Sequence, residues 1–216
     1  MKKNYELILF DLDGTLLDTS PGIFNSVRYA ESQLGLTPIP DAQLKDFVGP
    51  PPKSMYMQIY GLDENRALLA AQKHREYGRT KAIFEAKVYP GIIELLSYLK
   101  NQGYKLGVAT LKSQSIAETI LTHYDIAHFF DVVIGMDAQE TLTKCRTIQL
   151  AVNRMHTSGD AILIGDSQYD YDGAQEAGID FLGVLYGFGF ISGCKYTFPT
   201  IETPKEAERL FEKGMT

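Results

Sequence analysis

Cysteine is scarce in this chain. The two among 216 residues, Cys145 and Cys194, stand 49 positions apart, and neither belongs to a CxxC pair or a Cys/His ligand spacing. Reduced structural thiols are therefore expected, not a disulfide framework or a zinc site. Positive charge is also in deficit: 21 Lys and Arg face 27 Asp and Glu, for a formal net charge of −6. Without a basic face, general nucleic-acid binding is excluded. A small phosphorylated ligand is not, because local cations or a metal can reverse the field inside a crevice. Long apolar runs are missing as well. Lys2 and Lys3 precede an apolar stretch from Tyr5 to Phe10, but it contains Glu6 and ends in acidic residues, too short for an export signal or a membrane span. There is no low-complexity tract and no internal repeat. These absences lead to the expectation of a cytoplasmic protein, monomer or homodimer, with neither membrane nor nucleic-acid partner.

What is present is an ordinary globular composition, 44% hydrophobic and 22% charged, in a chain long enough to bury a substantial core. Leu7-Ile8-Leu9-Phe10 is a continuous apolar run, the pattern of a strand covered on both faces. Similar runs recur at 105–109 (KLGVA), 131–134 (DVVI), 161–164 (AILI) and 181–185 (FLGVL). Helical patterns separate them: Ile92, Leu95, Leu96 and Leu99 share one face before Gly103, and 115–124, 143–155 and a shorter piece closing at Gly178 follow. Alternating strands and helices predict an α/β fold built on a doubly wound parallel sheet. Residues 18–85 break the alternation. Ser20-Pro21 reads as an N-cap followed by proline at the first helical position, Ile23, Val27, Ala30 and Leu34 form a stripe ending at Gly35, and a short helix ends at Gly49. The Gly49–Pro52 run predicts a stiff turn, with two further helices near 54–60 and 63–79. The expected organisation is an α/β core of 1–17 and 86–216, with a smaller all-helical domain, 18–85, inserted after the first strand.

Chemistry concentrates at strand ends. Asp11-Leu12-Asp13-Gly14-Thr15 directly follows the first strand, and open parallel sheets bind ligands beyond the carboxyl ends of their strands. Asp13-Gly14 also suits a plain turn, but a turn leaves acids at the other strand ends unexplained. Thr110 ends the second long run, with Lys112 just after. A hydroxyl there can donate to a phosphoryl oxygen, although Thr before a helix is commonly an N-cap. Lys144 opens a helix and, on spacing alone, reads as a solvated surface lysine. Gly165-Asp166 and Asp170 close the set, with an N-cap as the plainer account of Asp170. Three or four carboxylates converging on one sheet edge would repel one another unless a cation sits among them, and hard oxygen donors suit Mg2+.

The order of DLDGT, Thr110, Lys144 and GDSQYD (165–170) resembles the four motifs of the haloacid dehalogenase superfamily, on its phosphatase side. The stretches 89–113 and FVGPPPKS (47–54) are similar to its phosphoglycolate-phosphatase-like branch. The resemblance covers nearly the whole chain and implies a Rossmann-like core with a helical cap. It implies Asp11 as nucleophile forming an aspartyl-phosphate and Asp13 as proton donor and acceptor. Gly14, Thr110 and Lys144 would hold the phosphoryl group. Asp11, the backbone carbonyl of Asp13, and Asp166 would bind Mg2+, with Asp170 supporting them. A small-molecule phosphate monoester is the implied substrate: phosphoglycolate, a nucleotide or a sugar phosphate, with pyrophosphate also open. Pro51, Lys53 and Arg79 are the candidates for substrate choice in the cap. A phosphomutase and a receiver-like signalling module remain as alternatives, while Asp13 and Asp166 argue against a dehalogenase. Two departures stand out: Cys145-Arg146 follow Lys144 where relatives carry a proline, and GMDAQETLT (135–143) is unusual.

Overall fold

The structure, a computed structural model, describes residues 5–48, 51–139, 141–156 and 160–212. Gly49 and Pro50 of the expected stiff turn, and Glu140 of the unusual loop, lie outside the described residues. In chain order the elements begin β1 (Leu7–Phe10), β2 (Leu17–Asp18), α1 (Ser20–Leu34), α2 (Asp41–Leu44), α3 (Pro52–Tyr60), α4 (Glu64–Thr80) and β3 (Lys87–Val88). They continue with α5 (Ile92–Asn101), β4 (Lys105–Ser113), α6 (Gln114–His123), β5 (Val132–Met136), α7 (Lys144–Met155) and β6 (Ala161–Gly165). The chain then forms α8 (Gln168–Ala177), β7 (Asp180–Val184), β8 (Thr200–Ile201) and α9 (Pro204–Leu210). It divides into two compact units, one of Met1–Leu17 with Val88–Thr216 and one of Asp18–Lys87.

The first unit is an α/β layer structure around a six-stranded sheet in the order β5-β4-β1-β6-β7-β8. All its strand pairs are parallel. β1 sits between β4 and β6, with Leu7 opposite both Lys105 and Ala161. Every residue of β1 is fully buried, which is why it reads as an unbroken apolar run. Its alternate side chains serve two layers. Leu7 and Leu9 enter a cluster with Ile148 and Ala151 of α7 and Ala174 of α8, while Phe10 meets Phe130 edge-on at 6.2 Å. Each such side chain contributes about 1.5–3 kcal/mol. The chain order reverses on either side of β1, so the carboxyl end of this strand opens onto a topological switch point.

Two local readings are corrected. β4 does not stop at Ala109 but runs on to Ser113, with its register against β5 shifting between Ala109 and Ser113. α1 is not capped by Ser20, which is already helical. Instead the Asp18 carboxylate accepts from the Ser20 N–H at 3.0 Å and the Ser20 hydroxyl at 2.6 Å, placing negative charge at the helix start.

The second unit is all-helical. Val27, Ala30, Phe47, Tyr56, Ala67, Ala70 and Ala71 form its core, the alanines letting α4 approach closely. Glu31 is buried in it yet fully partnered: it accepts from Arg28 at 2.8 Å, the Tyr60 hydroxyl at 2.6 Å and the Ile39 N–H at 2.9 Å. A buried charge is tolerable only when matched in this way. No helix among the described residues is long and apolar enough to cross a membrane.

His74 of α4 is buried beside Phe47 and Tyr56, and burial, helped by the neighbouring Arg75, pushes it down from 6.5 to about 4. The unfolded chain therefore takes up a proton that the folded chain refuses. Stability is fully present above about 6.5 and falls as pH drops towards 4, by a total on the order of 3 kcal/mol. His74→Leu should flatten this part of the melting-temperature profile between pH 7 and 4.5. Equal slopes in the two proteins would show that the acid sensitivity lies elsewhere.

Candidate active site

The residues after β1 fold into a tight loop over the end of the sheet. The Asp11 N–H donates to the Ile164 carbonyl at 2.9 Å, the Leu12 carbonyl accepts from Leu16 and Leu17, and the Gly14 N–H donates to the Leu17 carbonyl at 2.8 Å. Gly14 has φ +80°, and a Cβ there would run into the Asp166 carboxylate and come within 2.8 Å of the Phe188 ring. Only glycine meets both demands. The DLDGT turn is thus pressed against the end of β6.

Lys144 is not the solvated lysine that spacing suggests. Its side chain is 5% exposed, with Nζ 2.5 Å from Asp11 Oδ1 and 2.6 Å from Asp170 Oδ1. The stem of Lys144 passes against Gly173 of α8, where a Cβ would come within 2.6 Å of its Cγ. Burial alone would lower the Lys144 pKa, but Asp11 and Asp170 outweigh it and hold the ammonium well above the usual lysine range. Asp11 feels the converse: burial raises it, Lys144 opposes, and Asp170 and Asp13 add to the rise.

Asp170 is not an N-cap. Ser167 caps α8, and Asp170 completes a capping box by accepting from the Ser167 N–H at 3.0 Å and hydroxyl at 2.6 Å. Its Oδ2 holds the helix start while Oδ1 holds Lys144. Asp166, at the end of β6, is 4% exposed, and its Oδ2 accepts from the Phe188 N–H at 2.7 Å and the Gly189 N–H at 3.3 Å. Burial and the charges of Asp11 and Asp170 push it up to about 7 against those two hydrogen bonds. Asp11, Asp166 and Asp170 each offer an oxygen within 4.8 Å of the others, and all three are buried.

Thr110 caps nothing either. It is buried within β4, and its hydroxyl accepts from the Lys112 N–H at 3.2 Å. Lys112, noted in the sequence but given no role, reaches across to Asp13, with Nζ 3.1 Å from Oδ2. Asp13 Oδ1 and Thr15 Oγ1 are buried without a hydrogen-bond partner. Pro51, Lys53 and Arg79 belong to the helical unit. Pro51 precedes α3, Lys53 is paired with Glu64 at 2.6 Å, and Arg79 lies in the last turn of α4. The loop carrying Phe188 and Gly189 was absent from the sequence reading; its only signal is glycine alternating with aromatics in YGFGF (186–190).

Acids at the end of β1, a lysine from α7, Asp166 at the end of β6 and Asp170 of α8 meet at one sheet edge, and a haloacid dehalogenase-like hydrolase model matches residues 8–184. The chain belongs to the haloacid dehalogenase-like hydrolases. It is similar to a 5′-nucleotidase of Pseudomonas aeruginosa, 39% identical over 189 residues that cover 86% of this chain and 85% of that one. A phosphoglycolate phosphatase of Caulobacter vibrioides is 33% identical over 196 residues, covering 87% and 81%. Among solved structures, a haloacid dehalogenase-like family hydrolase from Streptococcus pneumoniae superposes with a TM-score of 0.85 at 32% identity, covering 96% of this chain and 99% of that one. This haloacid dehalogenase-like hydrolase is an enzyme, a phosphatase acting on phosphate esters.

Removing the ammonium from between Asp11 and Asp170 leaves buried like charges facing each other. Lys144→Met should cost about 3–5 kcal/mol of stability at neutral pH, measured by urea unfolding without added metal. A loss under about 1 kcal/mol would mean that the pair is not what holds these carboxylates together.

Proposed function

We propose that this phosphatase hydrolyses a small-molecule phosphate monoester by attack of the Asp11 carboxylate on phosphorus, with Mg2+ as cofactor. The observation that carries the reading is the charge balance at the end of β1. Asp11, Asp13, Asp166 and Asp170, when ionised, face two ammonium groups, Lys144 and Lys112, which leaves two negative charges uncompensated among these six side chains. A hard divalent cation offsets that excess and suits an all-oxygen donor set. Asp11, the backbone carbonyl of Asp13, and Asp166 are assigned to hold it. When bound, it supplies Lewis-acid charge that lets an anionic nucleophile approach an anionic phosphate.

The remaining steps fall to the side chains. Lys144 aims Asp11 and favours its ionised form against the burial that opposes it, and its protons can follow the charge that spreads over the phosphoryl oxygens. Thr110 donates to those oxygens; Gly14, whose N–H is held by the Leu17 carbonyl, serves the phosphoryl group by shaping the turn beside it, not as a donor. Asp13, whose Oδ1 has no partner, gives a proton to the departing alkoxide. Attack makes the Asp11 carboxylate oxygen–phosphorus bond as the ester oxygen–phosphorus bond breaks. Water activated by Asp13 then cleaves the aspartyl-phosphate, releasing phosphate, freeing the Asp11 carboxylate and returning a proton to Asp13. Asp170 acts through Lys144 and the start of α8. Leaving-group choice is assigned to the helical unit, with Pro51, Lys53 and Arg79 as candidates. The identity to a 5′-nucleotidase puts nucleoside monophosphates first among substrates to test, ahead of phosphoglycolate, sugar phosphates and pyrophosphate.

A phosphate-release screen over these four classes tests the substrate reading, and no release from any of them with Mg2+ present would sink it. Asp11→Asn should keep its circular dichroism spectrum and lose about a thousandfold or more in kcat; residual turnover near wild type would move the nucleophile elsewhere. EDTA should stop the reaction and excess Mg2+ should restore it, whereas full activity in EDTA would remove the metal from the mechanism.

A further inference from the structure

The loop after β7 plays no part in the scheme above, yet it makes a dense set of contacts with the two acidic turns. The Tyr186 hydroxyl donates to the Thr15 carbonyl at 3.1 Å, reaching the DLDGT turn. Two residues on, the Phe188 and Gly189 N–H groups both donate to Asp166 Oδ2, and the Phe190 N–H donates to the Asp166 carbonyl at 3.0 Å. Four hydrogen bonds from five consecutive residues thus join the loop to both turns. Gly187 lies between them: a Cβ there would collide with the Gly14 carbonyl and with Cβ of Asp166, and would come within 2.6 Å of Asp166 Oδ2.

The loop is itself anchored. Phe190 is 6% exposed and packs against Tyr196 at 5.0 Å, Phe198 at 5.2 Å and Phe181 of β7 at 6.1 Å. The Tyr196 hydroxyl accepts from the Ile191 N–H at 2.8 Å, closing the chain just beyond the aromatic anchor. An aromatic cluster rooted in the sheet therefore fixes the backbone donors that meet Asp166.

From these contacts we infer that residues 186–190 are a positioning strap for Asp166, which holds Oδ2 and leaves Oδ1 as the oxygen presented to a divalent cation. This rests on the Mg2+ reading above and adds to it a determinant of metal affinity made of main-chain donors. Hydrogen bonds that orient a ligating carboxylate commonly govern metal affinity by 10–100-fold.

The test is the binding of MgCl2 alone, by titration calorimetry on the metal-free protein without substrate. Gly187→Ala should weaken Mg2+ binding at least tenfold, and Tyr186→Phe, which loses only a hydroxyl, about two- to fivefold. For both variants, kcat should recover as Mg2+ is raised, and KM for the ester at saturating Mg2+ should change less than about twofold. Unchanged Mg2+ affinity in folded Gly187→Ala would overturn the strap. Should that variant fail to fold, unchanged affinity in Tyr186→Phe would overturn it equally. If the wild-type protein itself bound no Mg2+, the metal reading would fall first and the strap with it, which separates the two failures.

Discussion

The ion pair between Lys144 and the two carboxylates of Asp11 and Asp170 is the contact on which the rest of the site depends. It joins the end of β1, the first residue of α7 and the first turn of α8, three places that no local interaction would bring together. Desolvating an ammonium and two carboxylates is expensive, and the expense is met only because the geometry is close and the remaining acceptors are used. Asp170 is the clearest instance, since its second oxygen closes the capping box of α8. Gly173 completes the arrangement by letting α8 lie directly on the lysine stem.

Around that pair the sheet works as a template. Strand order places β4 and β6 on either side of β1, so residues distant in sequence arrive at one edge: Asp11 after β1, Thr110 in β4 and Asp166 after β6. The apolar clusters beneath fix strand and helix positions but supply no chemistry, whereas the turns above supply the chemistry while burying Leu12 and Leu16. Glycines mediate between the two. Gly14 allows the first turn to approach Asp166, and without it the carboxylates at β1 and β6 could not share a crevice.

Much of this was legible in the sequence, for physical reasons that differ from residue to residue. The buried strands announce themselves because a strand covered on both faces has no polar positions, as in Leu7–Phe10. Asp11, Asp13 and Asp166 were legible because acids at strand ends have few structural explanations. Lys144 was legible only by resemblance, since a lysine at a helix start is ordinarily solvated and nothing local signals that two acids, one 133 positions away, will bury it. Thr110 looked like a cap because the sequence does not show that β4 continues to Ser113 through a register shift. The 186–190 loop left only its glycine–aromatic alternation as a signal, because three of its four hydrogen bonds come from main-chain N–H groups that every residue but proline carries.

The central position of β1 has a consequence for how the molecule is made. Both strands that flank it come later in the chain, and the lysine that neutralises Asp11 lies 133 residues downstream. At a ribosomal pace of about 5–20 residues per second, that interval is roughly 7–27 s. Until β4 emerges Leu7–Phe10 is an apolar segment with neither neighbour, β6 is still to come when Lys144 appears, and Asp11 has no counter-charge throughout the interval. The nascent enzyme must therefore keep its central strand from pairing elsewhere until α7 and β6 have emerged. Aggregation during synthesis, more than instability of the finished fold, is the hazard built into this topology.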